Sequence, residues 1–119
     1  MPITFLPIPE TFEEAVQRLA SDLTEEELMV ISKPNFVALS HHGVGMSIRN
    51  QWIHQGGALR DHFVCEYGLG HPDDMSGMLM EALHRRIVGL AFDPDAEARS
   101  YQEFWLKQGV DPISQKSMK

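Results

Sequence analysis

The fold depends most on residues 71–89, which read HPDDMSGMLMEALHRRIVG. Within this stretch apolar side chains return at intervals of three and four residues, the spacing that places them on one face of an α-helix. Pro72 suits the first helical position, and Asp73 and Asp74 suit the next two, where free amides and the positive end of the helix dipole favour acidic side chains. The stretch predicts a central core helix whose apolar face consists of Met75, Met78, Leu79, Ala82, Leu83 and Ile87.

Two capping-box patterns, Thr11–Glu14 and Thr24–Glu27, lie nearer the N-terminus. In such a box the threonine oxygen accepts the amide hydrogen three residues later, and the glutamate accepts the threonine amide hydrogen. The first box predicts a helix over residues 12–22. The second predicts a short helix that Pro34 ends by about Ser32, because proline cannot continue a helix.

Three further helices are predicted, over residues 35–52, 58–67 and 95–107. In the first of them Gly43 and Gly45 each cost about 1 kcal/mol relative to alanine. We expect a close contact with another helix or with backbone to compensate, because glycine has no side chain to hold the two apart.

These elements predict an all-α protein, a compact bundle of five to six short helices. Residues 1–10 carry three prolines and are expected to form an extended arm. Residues 11–108 form the single helical domain, and residues 109–119 are expected to form a flexible tail.

Composition limits the class of protein. The chain has 119 residues and a net charge of −7, and residues 1–33 contribute −5 of it. Such acidity argues against direct binding of nucleic acid, and no apolar run is long enough to cross a membrane. One cysteine excludes an intramolecular disulfide, and no leader pattern opens the chain, so we expect a cytoplasmic protein.

Three motifs in order carry a resemblance. They are residues 8–16 (IPETFEEAV), residues 43–52 (GVGMSIRNQW) and residues 71–76 (HPDDMS). The chain resembles a small bacterial family of domains of unknown function over about residues 8–90. The resemblance implies a short helical protein and supplies no activity, cofactor or catalytic residue. Members often carry a bulky aromatic residue near position 47, where this chain has Ser47.

The second motif offers a candidate binding surface. Arg49, Asn50 and Trp52, with His54 beyond them, combine a planar cation, an amide and a flat aromatic ring, which suits a carboxylate, a phosphate or a peptide group. The competing interpretation is structural: Trp52 lies in the core, Arg49 pairs with Asp73 or Asp74, and Asn50 caps a neighbouring backbone.

The third motif invites a metal or acid–base hypothesis, since His71, Asp73 and Asp74 offer an imidazole and two carboxylates. Adjacent aspartates diverge on a helix, however, and helix capping accounts for all three residues. No group of three or four ligands has convincing spacing, so neither a metal nor a cofactor is expected. Cys65, beside Phe63 and Val64, is predicted to be a small buried residue rather than a nucleophile.

Two functions remain open. The first is a non-enzymatic interaction module, such as an inhibitor or neutralising protein, that binds an unknown protein partner through the Arg49 surface or through an acidic face at Glu25, Glu26 and Glu27. The alternative is a small-molecule-binding or metal-dependent enzyme with a pocket between the Arg49/Asn50/Trp52 helix and the His71–Asp74 turn. For either function, the protein is expected to be a monomer or a homodimer.

Overall fold

The computed structural model describes residues 5–118, which contain seven α-helices and one π-helical segment. The helices are α1 (Phe12–Leu19), α2 (Glu25–Ser32), α3 (Phe36–Leu39), α4 (Val44–Ile48), α5 (Ala58–Tyr67), α6 (Pro72–Val88) and α7 (Pro94–Lys107), and the π-helical segment Arg49–Ile53 continues α4. The predicted all-α class is confirmed. No β-strand occurs in residues 5–118, where an isolated bridge joins Val110 and Ser117.

The prediction of five to six helices is wrong, because the helix expected over residues 35–52 is divided. Helix α3 ends at Leu39, and Gly43 adopts a non-helical conformation immediately before α4. In the second part the amide of His54 donates to the carbonyl of Arg49, which widens the helix into a π turn.

The central helix α6 lies where its sequence predicts. Residues Met75–Met80, with Ala82 and Leu83, are buried, and α6 packs against α1, α2, α3, α4, the π-helical segment and α7. At its N-terminus His71 Nδ1 accepts the amide hydrogen of Asp73. The second capping box also forms as predicted, with both of its hydrogen bonds present between Thr24 and Glu27.

The first capping box forms only in part. Thr11 accepts the amide hydrogen of Glu14, as predicted, but the Glu14 carboxylate accepts the amide hydrogen of Glu10 rather than that of Thr11. Helix α1 ends at Leu19, three residues before the predicted end.

The N-terminal arm lies on the helical domain. Its Phe5 ring packs edge-on against Trp52, and the Phe5 carbonyl accepts the indole N–H of Trp52 over 2.9 Å. Arg18 donates to the carbonyl of Pro7, and Pro9 is buried. Residues 1–4 of the predicted arm lie outside the described residues.

The C-terminal segment folds back beyond α7. Gly70 donates to the carbonyl of Pro112, and Asp111 donates to the carbonyl of Lys116. Two backbone amides donate to the Asp111 carboxylate and lower its pKa. The described part of the tail therefore has hydrogen-bonded structure that the sequence did not predict. Its flexibility stays a prediction, and Lys119 lies outside the described residues.

None of the helices in the described chain combines the length and the apolar character that crossing a membrane requires.

Candidate functional site

A buried arginine joins the second and third sequence motifs. The Arg49 side chain is 7% exposed, and its guanidinium donates to Ser76 Oγ over 2.8 Å and to the carbonyl of His41 over 2.9 Å. Its Nε lies 3.4 Å from Asp73 Oδ1. Burying a charge is costly unless it is paired and hydrogen-bonded, and these three contacts meet that requirement. Arg49 thus connects the π-helical segment to the first turns of α6.

The two adjacent aspartates face different partners. Asp73 faces Arg49 and also lies 3.8 Å from His41 Nε2 and 4.0 Å from His71 Nδ1. Asp74 accepts the indole N–H of Trp105 over 2.7 Å. Neighbouring residues on a helix point about 100° apart, so one arginine cannot bind both carboxylates. Of the two ion pairs that the sequence left open for Arg49, the structure has the one with Asp73.

Burial raises the pKa of Asp74, and the negative charge of Asp73 adds to this effect. The hydrogen bond from Trp105 and the proximity of His71 act in the opposite direction. Trp105 also stacks on the His71 ring, with ring centroids 5.4 Å apart. Helix α7 therefore supplies one wall of this polar cluster.

The remaining candidates of the second motif lie apart from the cluster. Trp52 is fully buried and bound to the arm. Asn50 and His54 are exposed, and the Asn50 carbonyl accepts a hydrogen bond from Gln55. Packing thus accounts for Trp52 and Arg49 without a ligand, and ligand binding by these residues stays a prediction.

Sequence reasoning missed three members of the cluster, His41, Ser76 and Trp105. His41 contributes its backbone carbonyl to Arg49 and its imidazole near Asp73, and Ser76 contributes its hydroxyl. No local spacing connects either residue with Arg49. Trp105 lies in the helix predicted over residues 95–107, but nothing in its spacing connects it with Asp74.

Other candidate groups are dispersed. The prediction that Cys65 is buried is wrong, because α5 turns its side chain to the surface. Across residues 5–118, no three histidine, cysteine or acidic side chains lie close enough together to hold a metal ion.

A different surface feature lies between α2 and the following two helices. Here a groove of about 240 Å³ is lined by Glu26, Glu27, Val30, Ile31, Phe36, Ser40 and Val44. His84 of α6 donates from Nδ1 to the carbonyl of Ile31 over 2.6 Å, and this bond holds α2 in place. Ile31 is buried, whereas its neighbours Met29 and Val30 are 67% and 50% exposed.

The predicted acidic face borders this groove. Glu25 and Glu26 are exposed, and Glu27 is partly exposed. The Thr24 amide donates to the Glu27 carboxylate and lowers its pKa. Glu27 therefore has a structural role in the capping box, while Glu25 and Glu26 lie on the surface of the first turn of α2.

A larger cleft, about 360 Å³, lies between α1 and the α6–α7 connection, over Phe12, Val16 and Phe92. Glu13 and Arg86 on its edge form an ion pair with each other at 2.6 Å. These two charges satisfy one another, so they do not favour a charged ligand in the cleft.

Comparison with curated proteins and comparison with solved structures give no match. Residues 8–87 match the family described as domain of unknown function DUF6794, a range that includes Arg49, Asp73 and α2 but excludes α7. The match covers 80 of the 119 residues. The chain therefore belongs to the DUF6794 family of domains of unknown function.

Proposed function

We propose that this protein is a non-enzymatic interaction module that binds a partner protein through the surface of α2 and α3. The observation that carries the proposal is the apolar run Leu28–Ile31, of which only Ile31 is buried. Exposed runs of apolar residues are uncommon on a monomeric protein and are typical of interaction surfaces. On α3, which supplies Phe36 to the groove, Leu39 is 71% exposed.

Charge supports the same surface. Glu26 and Glu27 line the groove and Glu25 precedes them on α2, and the first 33 residues hold most of the net negative charge. An apolar centre with a charged edge is the usual composition of a protein interface. The acidic edge favours a partner with a basic surface, and an inhibitor or neutralising protein acts by covering such a surface.

The polar cluster around Arg49 has a structural role in this proposal. Its hydrogen bonds hold the π-helical segment against α6, the helix on which α2 also packs. We place the interaction in the cytoplasm, because the protein has a single thiol and suits a reducing compartment.

The experiment is a comparative affinity capture from an extract of the source organism. Val30→Glu combined with Leu39→Glu introduces two charges into the proposed surface. The matched control, Leu90→Glu combined with Leu106→Glu, introduces the same charges at two exposed leucines elsewhere. We expect the first variant to lose a partner that the control and the wild type both retain. Circular dichroism checks that both variants are folded.

A second pair of variants tests the acidic edge. Glu25→Lys with Glu26→Lys changes the charge beside the groove, and Glu66→Lys with Glu103→Lys makes the same change on α5 and α7. The proposal would be wrong if every partner captured by the wild type were also captured by the Val30/Leu39 variant and by the Glu25/Glu26 variant. That result would show that this surface binds no partner.

A further inference from the structure

We infer that the partner supplies an amphipathic helix to the α2–α3 groove, with a basic residue one turn away from an apolar anchor. This inference rests on the proposed function and names the kind of segment that binds there.

The shape of the groove favours a helix. Its walls come from α2 and from α3 with the start of α4, so an occupant lies between helices and presents side chains to Val30, Ile31, Phe36 and Val44. Peptides that bind as an added strand need a free sheet edge, and the described residues 5–118 contain no β-strand. Polyproline segments bind grooves lined by several aromatic side chains, and Phe36 is the one aromatic residue among the described residues that line this groove. A largely aliphatic groove between helices suits an amphipathic helix better.

The order of residues along α2 determines how far apart the basic and the apolar side chain of the bound helix must be. Glu26 and Glu27 line one end of the groove, and Val30 and Ile31 line it four residues later. Four helical residues span about 6 Å, which is slightly more than one turn. An occupant that pairs with both parts therefore carries lysine or arginine at one position and an apolar residue four positions away.

Charge argues for another protein rather than a second copy of this chain. Each helix of eight or more residues in the described structure has a net negative charge: α1, α5, α6 and α7 each carry −1, and α2 carries −3. The arginine of the π-helical segment is buried. Helix α7 has exposed Phe104 and Leu106 near Lys107, but its acidic residues outnumber its basic ones, so an acidic groove disfavours a second copy of this chain.

The test uses three synthetic peptides of about 18 residues, or five helical turns. The first repeats lysine and leucine four positions apart on one face. The second replaces each lysine by glutamate, and the third has the composition of the first with the lysines moved to the opposite face. Fluorescence anisotropy measures the binding of each labelled peptide to the full-length protein.

We expect the first peptide to bind at least about tenfold more tightly than the other two, a difference of about 1.4 kcal/mol. Val30→Glu should weaken this binding by about tenfold or more, whereas Leu90→Glu should leave it unchanged. Glu26→Gln should reduce both the affinity and its dependence on salt, because it removes a charge from the edge of the groove.

Equal binding of the three peptides, or no binding of the first, would overturn the inference. Sedimentation of the wild type and of Val30→Glu tests the other occupant: a dimer that Val30→Glu dissociates would assign the groove to a second copy. If the first peptide fails while the α2–α3 variants still abolish capture of a partner, the helix inference is wrong and the proposed function stands.

Discussion

Trp105 Nε1 donates a hydrogen bond to Asp74 Oδ2 over 2.7 Å, and this bond joins the last helix to the first turn of α6. The donor compensates in part for the burial of the carboxylate, which raises the pKa of Asp74. The position of α7 thus affects the ionisation of Asp74, which belongs to the third sequence motif, residues 71–76.

The raised pKa makes stability depend on pH. The folded protein binds the Asp74 proton more tightly than the unfolded chain does, so this contribution to stability is complete below the ordinary pKa of 3.8 and is lost as pH rises through the folded pKa. Asp74→Asn keeps an oxygen that accepts from Trp105 and cannot ionise. We expect the variant to gain stability relative to the wild type as pH rises through this window, measured by urea unfolding. If the difference in free energy of unfolding between the variant and the wild type stayed constant with pH, this account would be wrong. Glu103→Gln is the control, because it removes an exposed acidic group.

The three contacts of Arg49 should make it important for stability. Arg49→Met leaves the carbonyl of His41 and the hydroxyl of Ser76 without their donor, and we expect a loss of roughly 2–3 kcal/mol in the free energy of unfolding. Arg49→Lys should recover only part of it, because an ammonium group lacks the planar fork of donors. Asp73→Asn should cost at most about 1 kcal/mol, since Asp73 is half exposed. Denaturant unfolding checks all three, and a fully stable lysine variant would show that the fork is not required.

Gly45 should not tolerate a methyl group. A Cβ atom there would lie 2.9 Å from the Met80 methyl, 3.1 Å from Arg49 Nη1 and 3.3 Å from the Ser40 carbonyl. Glycine to alanine usually stabilises a helix by about 1 kcal/mol. Here we expect a net loss of roughly 1–2 kcal/mol, because crowding outweighs the gain in propensity. The loss should shrink in an Arg49→Met background, which a double-mutant cycle measures. Equal losses in both backgrounds would exclude Arg49 as the source of the crowding.

Gly70 should control the docking of the C-terminal segment. A Cβ atom at Gly70 would lie 1.8 Å from the carbonyl oxygen of Ile113, and backbone cannot yield as a flexible side chain does. We therefore expect Gly70→Ala to release the segment and to cost roughly 1–3 kcal/mol. Hydrogen exchange checks this result, since the Gly70 amide should exchange faster once its bond to Pro112 is lost while the centre of α6 keeps its protection. Deletion of residues 110–119 should have the same effect on the Gly70 amide, and unchanged exchange in both variants would contradict the docking.

Local signals explain what was predictable. The spacing of apolar residues in α6, the proline at its first position and the Thr24–Glu27 capping box each act within a few residues of the chain, so they can be read directly from it. The close contact expected at Gly45 is confirmed, because a Cβ atom there would crowd Met80 of α6. The same expectation for Gly43 is wrong, since Gly43 lies outside the helices and a Cβ atom there would make only an ordinary contact with the Ser40 carbonyl.

The sequence by itself therefore determined the all-α class, the central helix and the position of the acidic residues on α2. Tertiary structure decided that Arg49 pairs with Asp73, that Asp74 binds Trp105, that Cys65 is exposed and that Met29 and Val30 face outward. The physical reason is the separation along the chain over which each interaction acts. Helix propensity and capping depend on neighbours three or four residues apart, whereas these contacts depend on which face each helix turns to residues that are distant in the chain.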